Sequence, residues 1–179
     1  MVPDEIKAIV GEKPTTLDIM FPSEDPAKFA QQWLRCYGRT HGLVCKGDGV
    51  EAVRKIDTDT GYLASRDTKE WEFKPWTCKP KECEQYLEKR CRRVMNLLFM
   101  MPAVPGLGCW QLDTSSFWSI VNVNSCVDLI KSICDRILGL PLALSLEDKE
   151  VTPPGESKKT IHILVIRTKF KLAELQRLA

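Results

Sequence analysis

The chain has 179 residues, 44% hydrophobic and 28% charged, which suits a soluble globular protein with one real core, or one core and a small appendage. A formal net charge of +2 excludes bulk attraction to nucleic acid, so any DNA contact must use a local basic patch. The N-terminus MVPDEIKAIV carries acids and lacks the apolar run of a signal peptide, and no stretch approaches the ~20 apolar residues of a membrane span. A cytosolic location is therefore expected. There the eight cysteines would be thiols or metal ligands, not disulfides.

Pro3 to Val10 reads as a short first helix, with Gly11 just past its end. Leu17, Ile19 and Phe21 alternate, predicting a strand over Thr15 to Phe21. Asp25 and Pro26 read as a cap and a first-turn proline. Phe29, Trp33 and Tyr37, at i, i+4 and i+8, then predict a helix closed by Gly38. His41 to Cys45 is a short strand running into the turn Lys46-Gly47-Asp48-Gly49. Val50 to Ile56 and Tyr62 to Ser65 flank Asp57 to Gly61 as a hairpin. Arg66 to Pro75 is polar and aromatic with no clear period. Cys78 to Cys91 is a compact cysteine-bearing segment with a helix over Glu82 to Arg90. Val94 to Met101 reads as a buried strand, and Pro102 to Gly108 as a turn-rich linker.

The stretch from Gly106 to Leu146 is the most consistent in the chain. Cys109 to Leu112 is a short apolar strand. Asp113, Thr114, Ser115 and Ser116 are residues that cap helices, with Ser115 or Ser116 expected in that role. Ile120, Val123, Val127, Ile130, Cys134 and Ile137 form the apolar stripe of a long helix, which Gly139 and Pro141 should end. Leu140, Leu142, Leu144 and Leu146 alternate as a half-buried strand. Val151 to Lys159 is a polar connection. Thr160 to Thr168 is a strong strand that should pair with the leucine strand as an antiparallel hairpin. Phe170 to Leu178 closes the chain as a helix with Leu172, Leu175 and Leu178 on one face. The pattern predicts an α+β fold, a small antiparallel sheet packed by a long central helix. Its body would span 1–44 and 94–179, with a lobe inserted at 45–93.

That lobe is poor in aliphatic residues, and small lobes of this kind usually need a staple. Cys45, Cys78, Cys83 and Cys91 all lie in it. Cys45 precedes a glycine turn, Cys78-x4-Cys83 can bring two sulfurs to one tetrahedral centre, and Cys91 lies one short helix further on. The expectation is a structural, non-catalytic Zn²⁺. The alternative is four reduced thiols. Cys109, Cys126 and Cys134 read as buried small hydrophobes. Cys36 is left open, close to Cys45 but inside a predicted helix.

No acid–base pair, GxSxG elbow or phosphate loop is visible, and neither His41 nor His162 has a motif partner. A non-enzymatic protein is expected. Lys89, Arg90, Arg92 and Arg93 surround Cys91, and Arg167, Lys169 and Lys171 alternate along the end of the final hairpin and into the last helix. These are the candidate nucleic-acid contacts, with Tyr86, Trp71 and Trp76 as rings that can stack on bases. The alternative is a solvated charged face.

TTLDIMFPSEDP, WLRCYG, GLVCKGDG, the cysteine lobe, VPGLGCWQLDTSSFWSIVNVNS and the final strand pair together resemble the phage and prophage recombination directionality factor-like family. Members are also labelled phage hydrolase or metal-binding protein. The resemblance covers nearly the whole chain and implies a zinc-binding cysteine cluster and a role in phage DNA recombination. It implies accessory factors that bind a large serine integrase and switch it from integration to excision. It also implies a basic strand-like segment ahead of Met1 and a further C-terminal region. The leading expectation is a non-enzymatic zinc-binding factor acting through such a protein partner and through DNA. Alternatives are a single-stranded DNA-binding or annealing protein, assembling side by side along a strand, and a metal-dependent hydrolase.

Overall fold

The computed structural model describes residues 4–106, 108–152, 155 and 157–177; the roles read for Pro3 and Leu178 fall outside them. The chain forms two compact units, residues 1–31 with 96–179, and residues 32–95. In order, the elements are helix α1 (Asp4–Val10), strand β1 (Thr16–Ile19), helix α2 (Pro26–Phe29), and strands β2 (Ala30–Gly38), β3 (Gly42–Gly47), β4 (Glu51–Asp57) and β5 (Trp71–Thr77). A 3-10 turn (Pro80–Glu82), helix α3 (Glu84–Leu87) and strands β6 (Cys91–Phe99) and β7 (Trp110–Thr114) follow. Helix α4 (Phe117–Cys134), strands β8 (Leu142–Val151) and β9 (Lys159–Thr168) and helix α5 (Leu172–Leu175) complete the chain. One antiparallel sheet has the order β1-β8-β9, and the second β5-β4-β3-β2-β6-β7.

This corrects the expected α+β architecture. The protein is mostly β, 43% strand against 23% helix, with two antiparallel sheets of three and six strands. It is not one small sheet organised by a long central helix. Two misread stretches account for much of the difference. The predicted helix after Asp25 lasts four residues; Asp25 caps it by accepting from the Ala27 N–H at 2.9 Å, and the chain then turns into β2. Residues 71–77, which showed no clear period, form β5. Tyr62 to Ser65 makes no strand, only a bridge from Leu63 to Ile56.

In the first unit, β8 and β9 pair over their whole length, from Leu142 opposite Thr168 to Val151 opposite Lys159. Leu142, Leu144, Leu164 and Ile166, which share one face, are buried, as are Ile163 on the other face and Ile19, Phe21 and Phe29. Phe21 and Phe29 stack at 4.1 Å between ring centres. Helix α4 buries Ile120, Val123, Val127, Ile130 and Cys134, the stripe read from the sequence. Ser116 caps it, accepting from Ser119 N–H at 3.3 Å. The helix stops at Cys134, ahead of Gly139, because Asp135 takes the left-handed conformation (φ 51°) that short polar residues tolerate.

In the second unit, β2 to β5 form a meander. Leu34, Cys36, Val44, Cys45, Ala52, Ala64 and Cys91 make its buried cluster, with Leu63 and Cys78 packed against it. Large aliphatic side chains are scarce in that cluster.

Candidate metal centre and charged surfaces

Antiparallel pairing sets the cysteines. Cys36 in β2 lies directly opposite Cys45 in β3, and Cys45 opposite Arg54 in β4. Paired residues point to the same face, so both thiols turn inward. Cys78 follows β5, where its N–H donates to the Val50 carbonyl at 2.7 Å. Cys83 sits between the 3-10 turn and α3, and Cys91 opens β6. Cys36, Cys45, Cys78, Cys83 and Cys91 all line one cavity of about 20 Å³, with Arg54 and Gln85 among its other walls. The four predicted ligands thus converge, and Cys36 joins them. It was obscured because its segment read as a helix; the inward alternation of Leu34 and Cys36 was the available signal.

Burial pushes the Cys36 and Cys45 thiols up, and the neighbouring sulfurs add to the effect. Cys91 is pushed up to about 12, by burial first and then by the other cysteines. Arg54 opposes this at Cys45, to which its side chain hydrogen-bonds, and its guanidinium also donates to Cys83 Sγ at 3.5 Å. The Cys36 thiol donates to Gln85 Oε1 at 3.7 Å. Left to themselves Cys36, Cys45 and Cys91 are neutral, buried thiols.

The donor chemistry suits Zn²⁺, which takes four thiolates and deprotonates them on binding. Gly47 belongs to the same cradle. A Cβ there would lie 2.9 Å from Cys78 Sγ and 2.8 Å from the Glu51 carbonyl oxygen, so only glycine lets the β3 backbone pass beneath that sulfur. As the side chains stand, however, no three His, Cys, Asp or Glu among the described residues are placed to hold one ion. Thiolates bind zinc at about 2.3 Å, so the sulfurs must close in around a shared centre.

The other cysteines are apart from this cluster. Cys134 is buried on α4 and donates to the Ile130 and Arg136 carbonyls, both at 3.1 Å, as a structural thiol does. Cys126 is half-buried. Cys109 is exposed and precedes β7 instead of lying in it, which corrects its reading as a buried strand residue.

The basic candidates fall in two places. Lys89, Arg90, Arg92 and Arg93 are exposed around the start of β6, with Lys89 in the left-handed region (φ 59°). Arg90 pairs with Glu88 and Glu84, and Arg92 donates to the Lys89 carbonyl. Arg167 pairs with Glu147 at 2.7 Å and Lys169 pairs with Asp18, while Lys171 stands at the N-cap of α5 with its backbone N–H donating to Glu174 Oε2 at 2.8 Å. The Ser145 hydroxyl, and then Arg167, hold the Glu147 carboxyl below its ordinary range. Much of the charge proposed for phosphate contact is therefore met by acids of the chain itself.

A mostly-β protein with a converging cluster of thiols is the class these features define. The profile of the recombination directionality factor-like family (Gp3-like) matches residues 1–173, and the chain belongs to that family. Membership points to a phage recombination role of the directionality kind. No curated protein and no solved structure matches the chain. Among the described residues no helix is long and apolar enough to cross a membrane.

Proposed function

We propose that the chain is a non-enzymatic factor in phage-type DNA recombination, acting in the bacterial cytoplasm by docking on a protein partner of the large serine integrase kind. We further propose that one structural Zn²⁺, held by Cys45, Cys78, Cys83 and Cys91, staples its second unit. Family membership over residues 1–173 is the observation that carries the functional reading. The convergence of those four sulfurs on one cavity supports the metal reading. A bound zinc would supply folding free energy to a unit with a small apolar core. Arg54 would then act from outside the ligand set, its guanidinium partly neutralising a site of net charge −2.

The test of function is recombination in vitro, with purified integrase encoded beside this chain. The chain should stimulate excision and suppress integration; no change in either direction overturns the role. The test of the metal is elemental analysis of purified protein. About one zinc per chain is expected, and Cys83→Ser should lower it. A content far below one zinc per chain in the parent protein overturns the site.

A further inference from the structure

The sheet of the second unit has a second face, opposite the cysteines. The register puts Arg35, Lys46, Val53 and Pro75 side by side across β2 to β5, and Lys55 directly opposite Phe73. Alternation sends their neighbours Leu34, Cys36, Cys45, Ala52 and Ile56 to the buried side. On the open side, Lys46 Nζ lies 4.1 Å from the centre of the Trp33 ring. Lys55 Nζ lies 4.2 Å from Trp71 and 5.6 Å from Phe73. Trp71 and Phe73 meet edge to face at 5.1 Å. Phe73 is 59% exposed, Val53 48% and Trp71 40%. Lys46, Val53 and Pro75 line a groove of about 640 Å³ that begins at Trp33.

Exposed aromatic rings gathered on one open sheet face mark an interaction surface. The charges say of what kind. The cores of protein interfaces are depleted in lysine, whereas here Lys46 and Lys55 stand at the centre of the patch, each over a ring. Of the acids on this face, Asp57 is buried and its carboxylate is occupied by the Thr68 hydroxyl at 2.6 Å and the Thr60 N–H at 2.9 Å. Asp48 and Glu51 stand only at the turn end of the groove, where Asp48 Oδ1 accepts the N–H groups of Val50 and Glu51. The middle of the face is therefore cationic and aromatic in alternation.

We propose that this face binds single-stranded nucleic acid, with bases stacking on Trp71 and Phe73 and phosphates met by Lys46 and Lys55. Stacking needs bases whose faces are free, which a duplex does not offer. Four strands span roughly 14 Å, room for the two or three stacked bases that a sheet of this width accommodates. Lys55 is held ready, since its ammonium also donates to the His41 carbonyl at 2.9 Å. The proposal rests on the geometry of this unit and not on the recombination reading.

The test is fluorescence anisotropy of the full chain with an oligothymidine, an oligouridine and duplex DNA of equal length, titrated across salt concentrations. Single strands should bind more tightly than duplex, and a preference between the first two identifies the natural ligand as DNA or RNA. Trp71→Ala and Phe73→Ala should each weaken binding about tenfold or more while leaving the salt slope unchanged. Lys46→Gln and Lys55→Gln should each flatten the log–log slope by about 0.7. Trp71→Phe should retain most of the affinity. Circular dichroism confirms folding; should an alanine variant unfold, Trp71→Phe and Lys46→Gln decide. Absence of single-strand binding, preference for duplex, or undiminished binding by folded variants overturns the proposal.

Discussion

Two residues of the second unit make its local chemistry testable. Gly47 is sterically required, because an added Cβ meets Cys78 Sγ and Ala52 Cβ, both at 2.9 Å, and the backbone of β4 closer still. Gly47→Ala should cost about 1–3 kcal/mol by overpacking, and it should lower the zinc content as Cys78 is displaced. Unchanged denaturant midpoint and metal content would overturn that account. Asp57 is the second. Hydrogen bonds from the Thr68 hydroxyl first, then from the Thr60 N–H, hold its carboxyl below the ordinary range. A carboxylate with a depressed folded value contributes stability that is fully present above its unfolded value, near 3.9, and is lost as pH falls through the folded value. Thr68→Val should therefore be less stable than the parent at neutral pH, and the two should converge as pH drops below about 4. Denaturant unfolding of both proteins from pH 7 to pH 3 measures this, and a difference independent of pH would refute it.

At the scale of elements, α4 is tied to β9 through one residue. Leu164 donates its N–H to Ser119 Oγ at 3.1 Å, and its carbonyl accepts from Asn122 Nδ2 at 2.8 Å. At Leu164 the free edge of β9 thereby has its N–H and carbonyl met by a helix. Ser119→Ala should cost about 1–3 kcal/mol by leaving a buried N–H unpaired, whereas Ser116→Ala should cost about 1 kcal/mol as a lost cap. Equal losses in thermal unfolding would contradict that ranking. The cap, the α4 stripe, and the β8–β9 hairpin were all legible in the sequence, because each is a local pattern. The segment from Phe29 to Tyr37 was not. Positions i, i+4 and i+8 share a face in a helix, but four is an even number, so they share a face in a strand too. Partnership with Cys45 across the sheet, which no local window contains, decides for β2. Strand β5 was hidden by Pro75, which a central strand rejects; it is tolerated because β5 is the edge of its sheet. That Cys45, Cys78, Cys83 and Cys91 come near one cavity was foreshadowed by their place in a lobe poor in aliphatic residues, but the inward turn of Cys36 depended on the strand that was misread.

For the whole molecule, the two units differ in what holds them. Residues 1–31 with 96–179 bury aromatic and long aliphatic side chains such as Phe21, Phe29, Ile19, Ile137 and Leu142. Residues 32–95 bury Leu34, Val44, Ile56 and Met95, but the other buried apolar members are Cys36, Cys45 and Cys91, which are cysteines, and the small Ala52 and Ala64. At ~25 cal/mol per Å² of apolar area, side chains of that size return little against ordering costs of about 1–2 kcal/mol per residue. If zinc provides the difference, removing it should act on one unit and spare the other. A strong chelator should then abolish protection from amide hydrogen exchange in β2 to β5 while β8, β9 and α4 stay protected, and restored zinc should return it. Thermal unfolding should split into two transitions, with only the lower one sensitive to chelator. Uniform loss of protection across both units would mean that they unfold as one cooperative block. Full protection of β2 to β5 in a demonstrably zinc-free protein would mean that the thiols, uncharged and buried, suffice as the core of that unit.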